Sequence, residues 1–172
     1  MKNKTLFITV IIFVLFCFLI FLKGLNNPNT YVPTKSGKQI SSFNAKKLFN
    51  NENINIDSLF IEDKIYLLNI WSSWCGPCRI EHNDLIKLSK NSSIKIIGIN
   101  YRDNLSNAKK FIKQLGNPYS EILVDQDGTI AIDLGIIGVP ETYVLDKNKK
   151  ILRIHIGPLN SQILKEIENL TK

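Results

Sequence analysis

The chain has 172 residues and a mass of 19.6 kDa, enough for one domain and a short appendage rather than two cores. With 44% apolar and 22% charged residues it is neither a disordered tail nor a coiled coil, and its three cysteines exclude a disulfide-dense mini-scaffold or a four-thiolate zinc finger. The net charge of +7 raises nucleic acid as a partner, but Lys and Arg are scattered and no basic run interleaves with aromatics. The charge reads as a solvated surface, and no nucleic acid is expected.

Residues 6–22 form an uncharged apolar run with Thr9 its one clearly polar member. As a helix, 17 residues span roughly 25 Å, at the short end for a bilayer crossing. No small-x-small cleavage pattern follows, so an uncleaved membrane anchor over residues 1–22 is expected in preference to a removed signal. Lys2, Lys4 and the amino terminus precede it, which keeps the short tail in the cytoplasm and places the rest of the chain outside. Cys17, inside the run, reads as a small lipid-facing hydrophobe. Residues 23–38, with Pro28 and Pro33, read as a tether, and residues 39–172 as the domain. Without the anchor, the 20 remaining basic and 15 acidic residues leave a net +5.

Residues 40–60 are ambiguous and are expected to hold a strand pair. Ile65–Trp71 is a short apolar run of the buried-strand kind. A helix follows Gly76-Pro77, with Ile80, Leu85, Ile86 and Leu88 as its apolar members and Pro77 in its first turn. Residues 94–99 give a second strand, and 106–115 a helix closed by Gly116-Asn117-Pro118. A third strand over 121–124 leads through a turn at 125–128 to a short helix ending at Gly135. Residues 142–145 and 150–156 alternate around a turn at 146–149 and read as a hairpin. The chain closes with an amphipathic helix over 160–170 whose apolar face holds Ile163, Leu164, Ile167 and Leu170. This order implies an α/β sandwich on a mixed sheet, with the early strands parallel and central.

Trp74-Cys75-Gly76-Pro77-Cys78 falls where a strand meets a helix. Unpaired N–H groups and the helix dipole there favour an anion, so the Cys75 thiolate is stabilised. Two intervening residues let both sulfurs meet within one turn. Cys75, at the exposed end, is expected to attack a disulfide, and Cys78, one turn in, to resolve the mixed disulfide. A structural disulfide is a poor alternative, since so short a loop restrains the unfolded chain little. A metal half-site would have to recruit His82 or His155, and two core cysteines by coincidence leave the motif unexplained.

The motif resembles the thioredoxin active site, and the element order looks like the thioredoxin fold. The stretch Leu67-Leu68-Asn69-Ile70-Trp71-Ser72-Ser73-Trp74-Cys75-Gly76-Pro77-Cys78-Arg79-Ile80-Glu81-His82 is similar to the membrane-anchored thiol–disulfide oxidoreductases of cytochrome c maturation, the DsbE/CcmG proteins. So are Gly98-Ile99-Asn100-Tyr101-Arg102-Asp103 and Leu115-Gly116-Asn117-Pro118-Tyr119. Residues 133–146, with Gly135-Ile136-Ile137-Gly138-Val139-Pro140-Glu141-Thr142, resemble that family's Gly-Val-x-Gly-x-Pro-Glu-Thr signature, with Ile137 and Val139 bulkier than is often seen there.

The resemblance implies a thioredoxin-like α/β fold behind an N-terminal transmembrane helix. The domain would lie on the periplasmic side of the inner membrane, and Cys75 and Cys78 would be its redox pair. Their reaction would keep apocytochrome c haem-attachment cysteines reduced, directly or through a cytochrome c assembly thiol protein. A membrane electron donor of the DsbD or CcdA type would recharge the pair. No cofactor and no metal beyond the redox-active disulfide is implied. Pro140 would be a cis-proline facing the active site, with Val139 meeting the substrate strand and Trp74 giving a flat contact surface. Glu81 and Glu141 resemble that family's acidic surround. A carboxylate near Cys78 disfavours a second negative charge and can shuttle a proton; the alternatives are a solvated helix carboxylate for Glu81 and a strand-edge charge for Glu141. Asn69 stands where generic thioredoxins carry a buried acid; an amide cannot transfer that proton, so a different group such as Glu81 must assist, or none does. Trp71 reads as core, and His82 and His155 as surface or supporting residues. The rival functions are a TlpA- or ResA-like reductase with broader clients and a tethered copper chaperone using Cys75, Cys78 and a histidine.

Overall fold

The computed structural model describes residues 2–26 and 37–171. Helix α1 (Lys2–Asn26) has mean hydropathy 3.0 over Leu6–Lys23, with none of that window buried. By length and composition it can cross a membrane, a test that a signal sequence also passes. Residues 27–36 of the expected tether lie outside the described residues. The helix and the domain that follows are separate compact units.

The domain runs β1 (Asn44–Lys47), β2 (Asn53–Asn55), a 3-10 turn (Ile56–Leu59), β3 (Ile65–Trp71), α2 (Gly76–Leu88), β4 (Ile94–Tyr101), α3 (Leu105–Leu115), β5 (Glu121–Asp125), α4 (Thr129–Leu134), β6 (Glu141–Leu145), β7 (Ile151–Ile156) and α5 (Ser161–Asn169). One seven-stranded sheet has the order β2-β1-β5-β4-β3-β6-β7. Strands β3, β4 and β5 are parallel and central, and the remaining pairings are antiparallel. This is a thioredoxin-like α/β fold with a mixed sheet. The ambiguous stretch before residue 60 does form a strand pair, β1 with β2.

Strand periodicity divides the core. In β3, Leu67 and Trp71 join the apolar cluster that contains Leu85 of α2, Phe111 of α3 and Ile163 of α5. Tyr66, Leu68 and Ile70 face the opposite cluster, with Ile130 and Leu134 of α4. Asn69 has the parity of Leu67 and Trp71, so its side chain is delivered beneath α2. Trp71 stacks against Tyr119 and tilts against Phe111, with ring centroids 5.6 and 5.1 Å away; such pairs contribute about 1 kcal/mol each beyond burial.

Side-chain caps start the helices. Asn104 accepts from the backbone N–H of Ser106 and Asn107, and Asn160 from Gln162 and Ile163. Gly135 ends α4 in the left-handed region at φ 67°, as a helix-terminating glycine does. The buried stripe of α2 is Cys78, Glu81, His82, Leu85 and Leu88. Ile80 falls off this stripe and is 74% exposed, against the expectation that it belonged to the apolar face. Leu170 likewise lies beyond the end of α5 and is largely exposed.

Candidate active site

Cys75 is the N-cap of α2, and its sulfur accepts from the Cys78 backbone N–H at 3.1 Å. The two cysteines are joined in a disulfide. Pro77, in the first turn, gives up no hydrogen bond because that N–H has no intrahelical acceptor. Cys75 is only 4% exposed and Cys78 2%, so the sulfur expected to attack is less open than its place at the helix start suggests. Both cysteines belong to the apolar cluster under α2, while Trp74 stands 60% exposed beside them.

The turn before Cys75 is tied to the end of β4. Ser72 Oγ donates to the Tyr101 carbonyl at 2.5 Å, and Trp74 Nε1 to the Arg102 carbonyl at 3.1 Å. The Asp103 carboxylate is buried and accepts the Ser73 N–H and hydroxyl, the Asn100 side-chain amide and the Asn104 N–H. Asp103 had no role in the sequence reading; an acid just before a helix start looks like part of the cap, and nothing local shows that it reaches back to Ser73.

Glu81 is almost fully buried at 1% exposure, so it is not a solvated helix carboxylate. It follows Cys78 by three residues on the same helical face. One oxygen accepts from the Asn69 amide at 2.9 Å and the other from the Leu159 N–H at 2.9 Å. Burial pushes its pKa up to about 7, helped by Asp84, and outweighs the pull of those two donors. Asn69 also donates to Thr142 Oγ1, its cross-strand partner, and accepts from the Tyr119 hydroxyl at 2.9 Å. Burial, with Glu81 adding, keeps the Tyr119 proton bound well past the ordinary tyrosine range. The sequence marks Asn69 as a non-acidic residue at this place but assigns nothing to Tyr119, which is 50 residues further along the chain.

The Val139–Pro140 peptide bond is cis. The β3–β6 ladder ends with Ile70 opposite Glu141, so Pro140 lies one step further, beside Trp71 and at the same end of the sheet as the cysteines. Val139 is half-buried and packs against the cluster that contains both cysteines. The Gly157 N–H donates to the Pro140 carbonyl at 2.9 Å. Glu141 is fully buried rather than a strand-edge charge, and one of its oxygens accepts from the Ile137 N–H at 3.0 Å, which closes the loop around the cis bond.

His82 is buried too, not at the surface. Its Nε2 is 3.0 Å from the Gly116 carbonyl and its ring meets Phe111 edge-on. Burial, with Arg79 nearby, lowers its pKa, so the ring is neutral at pH 7. His155 Nε2 contacts the Pro158 carbonyl. Among the described residues no group of three His, Cys, Asp or Glu side chains is arranged to hold a metal ion.

A helix-capping disulfide at the end of the central strand, braced beside a cis-proline loop, defines a thioredoxin-like disulfide oxidoreductase. The chain belongs to the Redoxin family, which matches residues 35–171, and its relatives are thiol:disulfide interchange proteins of the DsbE type. It is 36% identical to the thiol:disulfide interchange protein DsbE of Escherichia coli K12 over 171 residues, 96% of this chain and 92% of that one. To the probable DsbE-2 of Pasteurella multocida it is 34% identical over 166 residues, 96% and 87% of the two chains. Among solved structures, a DsbF homologue from Corynebacterium diphtheriae superposes with TM-score 0.69 at 26% identity, covering 84% of this chain and 96% of that one. A DsbE from Chlorobium tepidum shares the fold, with TM-score 0.66, 21% identity and coverage of 79% and 96%.

Proposed function

We propose that this protein is a membrane-anchored reductase whose domain faces the periplasm and keeps the haem-attachment cysteines of apocytochrome c reduced, directly or through an assembly thiol protein. The observation that carries the reading is likeness to DsbE proteins over 96% of the chain, a span that must include part of the apolar helix. That helix would anchor the domain to the inner membrane.

In the reduced protein, the Cys75 thiolate attacks one sulfur of the partner's disulfide and the other partner sulfur leaves as a thiolate. Cys78 then loses its proton and attacks Cys75 Sγ. The S–S bond to the partner breaks, its second thiolate leaves, and the Cys75–Cys78 disulfide remains. Two electrons have passed to the partner. A membrane donor of the DsbD or CcdA type returns them by the reverse exchange. Glu81, with a pKa of about 7 and one turn along from Cys78, is suited to take the Cys78 proton and to give it back. Val139 and Pro140 offer backbone to the partner's strand, Glu141 holds that loop, and Trp74 supplies a contact surface.

The test is a Cys78→Ser variant of the full chain in membranes, which stalls at the mixed disulfide. Capture of apocytochrome c or of thiol proteins of its assembly is expected. Capture of unrelated clients alone replaces the specialised reading with a broad-clientele TlpA/ResA-like reductase, and capture of none with Cys75 intact removes both.

A further inference from the structure

Beside the redox pair, between α2 and α3, is a hollow of about 310 Å³ that no step above uses. Phe111, 2% exposed, is its floor, and Trp74, Arg79, Lys110, Asn107 and Gln114 surround it. Two of its members belong to the immediate neighbourhood of the nucleophile. Trp74 precedes Cys75 in sequence, and Arg79 follows it by four residues, one helical turn along.

The hollow is held in shape. The Trp74 indole is fixed by its hydrogen bond to the Arg102 carbonyl, and the Arg79 guanidinium lies 4.8 Å above the Phe111 ring centroid. Its charge is one-sided. No acidic residue lines it, and α3 carries Lys109, Lys110 and Lys113 with no acid in its sequence. Elsewhere in the domain, lysines such as Lys47, Lys64, Lys95 and Lys149 are matched with carboxylates. Among the described residues, neither Arg79 nor Lys110 has an ion-pair partner.

We propose that this hollow is a subsite for the carboxylate of an aspartate or glutamate in the partner polypeptide, close in sequence to the cysteine that pairs with Cys75. The guanidinium presents N–H donors in a plane that fits a carboxylate, and Lys110 adds a point charge. The exposed Trp74 indole receives the aliphatic stem, the Phe111 ring being already covered by the guanidinium. The subsite thus orients an acidic partner segment across the helix start before the sulfurs react. The inference rests on Cys75-dependent exchange, and its failure is separable from the failure of that chemistry.

The experiment uses the reduced full-length protein in detergent. The probes are capped synthetic peptides whose single cysteine is disulfide-bonded to uncharged mercaptoethanol, with Glu, Gln or Lys placed in turn at each of the two positions on either side. Exchange is followed by tryptophan fluorescence and mass spectrometry. At low salt, Glu is expected to exceed Gln about fivefold at one or more positions, with Lys below Gln and the spread shrinking at high salt. The readout within each variant is its own Glu-to-Gln ratio, which removes any change in the intrinsic reactivity of Cys75. Arg79→Gln with Lys110→Gln brings the ratio near one, and Lys110→Glu reverses the order of Glu and Lys peptides. Equal rates for all peptides, or a ratio that persists in the double variant, overturns the subsite and leaves the exchange chemistry standing. Absence of exchange with every peptide overturns both.

Discussion

Replacing Glu81 by glutamine removes a proton site whose pKa is about 7 in the folded chain, against an ordinary value of 4.5. A gap of that size corresponds to about 3 kcal/mol between the two protonation states. The sign follows from the raised value. The folded protein holds this proton at a pH where the unfolded chain has released it, so the stabilising contribution is full below about 4.5 and is lost as pH rises through about 7. The wild type is therefore expected to lose about 3 kcal/mol more unfolding free energy than Glu81→Gln between pH 4.5 and pH 8. Burial of Asp125, which raises its pKa, and of His82, which lowers its own, shape both curves alike and cancel in the comparison. The assay is urea unfolding in detergent across that range, with both proteins oxidised so that the cysteines do not titrate. Parallel curves would refute a high proton affinity at Glu81. A companion measurement in the reduced state follows exchange against pH. The step assigned to Cys78 should lose an inflection near pH 7 in the variant, and an unchanged profile would return Glu81 to a structural part.

Other perturbations test the frame of the site. Asp103→Ala strands the Ser73, Asn100 and Asn104 donors. A loss of about 2–3 kcal/mol is expected, with the red edge of Trp74 emission shifting as its turn loosens; unchanged thermal unfolding would show that the carboxylate braces nothing. At Gly98, an added Cβ would lie 2.9 Å from both Trp71 Nε1 and Tyr119 Cδ1. Gly98→Ala should therefore cost about 1–3 kcal/mol by overpacking, and a neutral result in calorimetry contradicts that close approach. Copper titration of the reduced domain should be insensitive to His82→Ala and His155→Ala, because both rings face backbone carbonyls; tighter binding that depends on either histidine restores the chaperone reading.

The order of elements was legible in the sequence because each strand and helix carries its own period and its own start and stop signals, as at Asn160 and Gly135. The cysteine pair was legible for the same reason: its chemistry follows from two residues and the helix start between them. Burial of the acids was not. Glu81 on a helix and Glu141 on a strand look like ordinary surface charges until the chain closes over them. Two of the donors that make their burial tolerable, Leu159 N–H and Ile137 N–H, belong to backbone, which no residue type marks, and the third, the Asn69 amide, comes from another element. Ile80 was misplaced because an isoleucine near an apolar stripe is indistinguishable from a member of it until the phase of the helix is known. Tyr119 and Asp103 act across chain separations of 50 and 30 residues, beyond the reach of local spacing.

The join between β7 and α5 contributes two main-chain N–H groups to the redox centre, from Gly157 to the Pro140 carbonyl and from Leu159 to Glu81. Truncating the Leu159 side chain leaves its amide hydrogen in place and reads only lost packing, while alanine at Gly157 strains a backbone held at φ 93°, so neither replacement isolates this strut. Only chemistry that deletes an amide hydrogen, a proline at 159 or an ester in the chain, can reveal how far the tail of the polypeptide governs the acid at its heart.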